Sequence, residues 1–121
     1  MSFTTWVKVF WSPRGKVLAL YRSGMAKAKR HDYRGAITDY SEALRAPHLP
    51  TDVKAMVIYN RALAYFAIHE VARATEDLAA VLEMPGLPTQ IKIHAQDRWK
   101  RIQPRQERGK DPMAHPQIES S

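Results

Sequence analysis

The sequence predicts an all-α chain built of helical hairpins, and three observations carry that prediction. The first is a self-match: under a 38-residue shift, Leu49-Pro50-Thr51-Asp52-Val53-Lys54 falls on Leu87-Pro88-Thr89-Gln90-Ile91-Lys92, with four identities and a Val/Ile exchange. A fixed period of that size marks a repeat architecture. The second is apolar spacing of three, four and seven inside each unit, as an amphipathic helix requires. The third is the placement of Pro47, Pro50, Pro85 and Pro88 between units, where proline stops one helix and can open the next.

Taken in order, residues 1–13 form an aromatic segment carrying Phe3, Trp6, Val7, Phe10 and Trp11. The first four are spaced for one helical face, and the same stretch alternates well enough for a strand. It is expected to fold back on the first hairpin, with a homodimer contact or a membrane-interface anchor as the alternatives. Residues 14–30 and 34–46 are the first pair of helices, joined through His31-Asp32, with Asp32 positioned as an N-cap. Val53, Val57, Ile58, Ala64 and Tyr65 give the helical period over 51–68, and Val71, Ala74, Leu78, Val81 and Leu82 give it again in the next run. His69-Glu70 leaves room only for a tight turn, so the two helices lie antiparallel. His31 and His69 are read as left-handed turn residues rather than as metal or acid–base groups. Residues 89–103 make a lone third helix that Pro104 ends. Residues 104–121, with three prolines and little aliphatic bulk, read as a disordered tail.

Composition narrows the chemistry. The 121 residues, 45% of them hydrophobic, suffice for one small repeat domain at 14–103. There is no cysteine, which excludes disulfides, zinc ribbons and thiol catalysis. Gly15, Gly24, Gly35, Gly86 and Gly109 make no phosphate-binding run, and the five histidines lack HxxxH or HExxH spacing. Glu76 and Asp77 are neighbours on a helix and point apart, which reads as solvated rather than as a catalytic pair. No enzyme activity and no cofactor or metal is expected. No apolar run approaches the roughly 20 residues of a bilayer span. The first residues lack a basic start followed by an apolar stretch, so a cytoplasmic protein is expected.

The paired helices, with Gly24 and Ala62 as small residues midway in the first helix and Ala36 and Ala74 early in the second, resemble tetratricopeptide repeats in a bacterial-type array. Asp32-Tyr33-Arg34-Gly35-Ala36-Ile37-Thr38-Asp39-Tyr40-Ser41-Glu42-Ala43-Leu44 is the best single match. The resemblance covers about residues 14–103 and implies two full hairpins plus a C-terminal capping helix. The period is 38 where the family's usual one is 34, with the extra residues in the proline linkers. Lys27 stands where an aromatic is usual, and Trp99-Lys100 replace Arg61-Ala62 in the third helix.

The resemblance also implies a concave face lined by the first helix of each pair, and an interaction module or small scaffold that binds another protein or peptide there. Side chains one period apart then form stripes, of which Arg22, Asn60 and Arg98, with Tyr59, suit an acidic or carboxylate-bearing peptide. Tyr21 and Met25 occupy the sites where carboxylate-clamp members of the family place Lys and Asn. An alternative is a homo-oligomeric structural protein assembling through Phe3, Trp6, Phe10 and Trp11. The net charge is +7, concentrated as +6 over residues 14–34 and +5 over 98–110. Those basic ends allow nucleic acid or an anionic membrane surface as partners, both disfavoured because no RNA-binding motif or stacking platform accompanies them.

Overall fold

A computed structural model describes residues 13–110, with side chains described over 14–102. Among these residues the ordered elements are all helices: α1 Pro13–Lys29, α2 Tyr33–Ala43, α3 Thr51–Ala67, α4 Val71–Leu82 and α5 Thr89–Lys110. None is long and apolar enough to cross a membrane. Phe3, Trp6, Phe10 and Trp11, and residues 111–121 of the expected tail, lie outside the described residues.

Helix starts repeat the sequence period. Pro13, Thr51 and Thr89 are successive 38-residue steps, as are Tyr33 and Val71. The turns repeat it too: His31 (φ 67°) and His69 (φ 63°) take the left-handed conformation expected of them, and His48 (φ 57°) and Gly86 (φ 65°) share it one linker apart. Asp32 caps α2 by accepting a bond from the Gly35 backbone N–H at 3.0 Å. Glu70, its counterpart ahead of α4, makes no side-chain cap bond.

Packing builds two clusters. The first joins Val17, Ala36, Tyr40, Ala43 and Val57, tying α1, α2 and α3; the second joins Ile58, Leu78, Val81, Ala95 and Ile102, tying α3, α4 and α5. Half-buried Leu44 packs against both. Gly24 lies where α1 crosses α2, and a Cβ there would come within 2.5 Å of the Tyr40 ring. Ala62, its counterpart in α3, is fully buried.

The end of the third helix corrects the sequence expectation. α5 runs on through Pro104 to Lys110, whereas the proline was expected to end it and open a disordered tail. Proline removes its own N–H from the helical ladder, but its fixed φ of about −65° is a helical angle. The chain therefore continues past it.

Candidate peptide-binding face

The first helices form one layer. α1 touches α3 and α3 touches α5, while α2 and α4, on the other side, do not touch each other. Helices that sit closer on one side than on the other curve the stack toward the closer side, so α1, α3 and α5 line its inner face.

Two contacts stitch that face together. The Asn60 side-chain amide donates to the Tyr21 hydroxyl at 3.1 Å and to the Met56 carbonyl at 2.8 Å. The Arg98 guanidinium lies over the Phe66 ring, 5.5 Å from its centre, joining α5 to α3. Arg22, next to Tyr21, is exposed and has no carboxylate partner among the described residues. Tyr59 is half-buried against the second cluster and contributes packing as much as surface.

The Asn60 geometry changes its assigned chemistry. A carbonyl can only accept, so the bond to Met56 fixes which end of the amide carries the N–H groups. Both hydrogens are then committed within the chain, one to Met56 and one to Tyr21. What Asn60 presents is its Oδ1, an acceptor, whereas the sequence reading gave it a donor's role toward a carboxylate. The Tyr21 oxygen is used as an acceptor, which leaves its O–H to donate. Burial pushes the Tyr21 phenol up from its ordinary range, opposed in part by the Asn60 bond, so the donor stays protonated well above neutral pH.

Some cations elsewhere on the surface are matched, while others, Arg14, Arg30 and Arg34 among them, have no carboxylate partner among the described residues. Arg45 pairs with Glu42, Arg73 with Glu70 and Arg101 with Asp97, each one turn away on the helix surface. Among the described residues, Arg22 and Arg98 have no such carboxylate.

Asp39 and Asp77 are the polar residues that sequence reading missed. Both are buried, 9% and 7% exposed, so Asp77 is not the solvated neighbour of Glu76 it was expected to be. Asp77 takes a two-pronged bond from Arg61, Nε to Oδ2 at 2.8 Å and Nη2 to Oδ1 at 2.7 Å. Arg61 Nη1 reaches on to the Ser41 hydroxyl of the preceding hairpin at 3.1 Å. Asp39 is held by Ser23 at 2.6 Å and Lys27 at 3.0 Å. The signal was in the spacing: 36, 39, 40, 43 and 74, 77, 78, 81 put each aspartate on the buried stripe of its helix. These pairs are consumed in holding second helix to first, and they leave no free catalytic group there.

Among the described residues no group of three His, Asp or Glu side chains could hold a metal ion. Set against known proteins, the chain matches no family model, no curated protein and no solved structure.

Proposed function

We propose that this chain is a short helical-repeat module of tetratricopeptide type, without catalysis, that holds an extended acidic segment of another protein on the inner face of α1, α3 and α5. The observation that carries the reading is the 38-residue register of Arg22, Asn60 and Arg98 on α1, α3 and α5, with neither arginine paired to a carboxylate among the described residues. The 38-residue spacing of helix starts, the close crossing at Gly24 and the fully buried Ala36, Ala62 and Ala74 support the repeat type.

The donors and acceptors divide the work. Arg22 and Arg98 attract carboxylates of the ligand, while Asn60 Oδ1 and the Tyr21 O–H offer one acceptor and one donor to its backbone. Exposed charge-assisted contacts contribute modestly and are screened by salt. Affinity is therefore expected in the micromolar range, the cost of ordering a flexible ligand included.

The test is a fluorescence-anisotropy titration with a labelled, glutamate-rich peptide. Reversing Arg22 and Arg98 to Glu should abolish binding while the helical circular-dichroism signal stays intact. Reversing Lys100, Arg101 and Arg105 should do little. The opposite pattern would replace the face with general polyanion binding.

A further inference from the structure

The two proline linkers differ in bulk at one position. Under the 38-residue period Ala46 stands where Met84 stands, and Met84 packs on the second cluster. With only a methyl group at Ala46, an open cleft of about 310 Å³ lies between the starts of α1 and α3, and its walls include Val17, Leu18, Ala46, Leu49 and Val53. Leu18, on its rim, is 38% exposed. The volume is at the small end of ligand pockets, roughly 300–1,000 Å³, and suits a small molecule rather than a folded partner.

The polar part of the lining changes in the same comparison. Arg14 and His48 line the cleft, and their counterparts one period on are Asp52 and Gly86. Arg14 is exposed and has no carboxylate partner among the described residues. His48 holds a left-handed backbone, φ 57°, that Gly86 adopts at φ 65°. Glycine takes that conformation without steric cost, so the imidazole stands there against the local preference. The walls also select the kind of group that fits. Pro47 and Pro50 belong to the lining and have no backbone N–H. The linker therefore offers few donors to a peptide backbone, whereas an alkyl chain needs none. At the rim, a guanidinium and an imidazole N–H are donors matched to a carboxylate.

We propose that this cleft binds a small amphipathic carboxylate, with its apolar tail against Val17, Leu18, Leu49 and Val53 and its carboxylate at Arg14 and His48. The site shares no residue with the stripe of Arg22, Asn60 and Arg98, so it stands or falls independently of the peptide-binding face.

The test is a two-dimensional NMR titration of the full isotope-labelled chain with decanoate, kept below its micelle-forming concentration, with decanol and acetate standing for the tail and the head alone. The expected result is saturable movement of the Val17, Leu18, Leu49 and Val53 methyl signals with decanoate, weaker binding of decanol and no movement with acetate. Arg14→Gln, on an exposed side chain, should weaken decanoate binding about three- to fivefold. His48→Gly should also weaken it, in a chain whose melting temperature does not fall, which separates the imidazole's part in binding from any part in folding. Leu18→Glu should abolish binding by setting a like charge at the rim. Decanol binding as tightly as decanoate would overturn the proposal, and so would an unchanged decanoate affinity in Arg14→Gln. Movement of the cleft methyls that is absent, or that runs unsaturated in parallel with the exposed Val71 and Ile93, would overturn it as well.

Discussion

The two hairpins solve the same packing problem with different residues. In the first, glycine at the helix crossing faces a tyrosine: Gly24 and Tyr40. In the second, alanine holds the crossing and leucine takes the tyrosine's position: Ala62 and Leu78. In the first, the buried aspartate is met by a hydroxyl and a lysine; in the second, a single arginine meets it with two parallel bonds. Lys27, on the first side, is replaced by Tyr65, whose ring lies 5.8 Å from the Arg61 guanidinium. What the period repeats is therefore a role, shared between two positions, more than a residue. Where one partner shrinks or changes charge, the other compensates.

The largest effect should come from breaking the more committed ion pair. Asp77→Ala leaves Arg61 half-buried without its carboxylate and should cost about 3 kcal/mol in urea unfolding. The hydrogen bonds to Asp77 raise the affinity of Arg61 for its proton; without them a guanidinium still keeps its charge at neutral pH and stands unmatched. Asp39→Ala should cost less, about 1–2 kcal/mol, because Lys27 is a third exposed and can turn to water. Equal losses in the two hairpins would break the comparison.

The crossings give the next test. Ala62→Leu should overpack and cost about 1–3 kcal/mol. Gly24→Ala should also destabilise, since the new Cβ meets the Tyr40 ring. In a Tyr40→Leu background, which copies the second hairpin, Gly24→Ala should reverse sign and stabilise by up to about 1 kcal/mol through helix propensity. A double-mutant cycle on thermal melts reads that coupling.

Alkali separates the hairpins further. Burial, with Tyr21 and Asp39 nearby, pushes the Tyr40 phenol from 10.0 up to about 12. Folded chain thus keeps this proton where unfolded chain loses it. Its contribution is whole below pH 10 and is lost as pH rises through 12. Tyr40→Phe should flatten the fall in melting temperature over that window, and a variant falling as steeply as wild type would contradict the assignment.

The smallest expected effect is at the linkers. His48 and Gly86 share a left-handed backbone one period apart. His48→Gly should relieve strain by about 0.5 kcal/mol net of the glycine's extra chain entropy. His31, stacked on Tyr33 with ring centres 5.7 Å apart, should gain less from the same change. A gain in melting temperature for His48→Gly that exceeds the one for His31→Gly is the readout.

Much of this was legible beforehand because periodicity and local turn chemistry are sequence properties. The 38-residue shift and the apolar spacing located the helix starts closely, and the histidine turns and the Asp32 cap depend on residues within a few positions of each other. Pro104 misled because a proline's effect depends on whether the chain around it holds the helical path, which no local rule decides. Asp39 and Asp77 were visible as an identity in the repeat, yet their partners Ser23, Lys27 and Arg61 lie on the preceding helix, across a crossing that only the folded hairpin creates. Asn60 was marked as a groove residue by its position in the period. Its chemistry was reversed by Tyr21 and Met56, and only three-dimensional placement brings Tyr21 within reach.

The central claim is that the inner face, and not charge in general, selects an acidic segment. The most direct measurement is a two-dimensional NMR titration of the full isotope-labelled chain with a glutamate-rich peptide. Shifts confined to Arg22, Tyr59, Asn60, Arg98 and the Tyr21 ring, fading with salt, are the predicted result. Shifts centred instead on Lys100, Arg101 and the basic residues beyond, or spread evenly over all lysines and arginines, would contradict it.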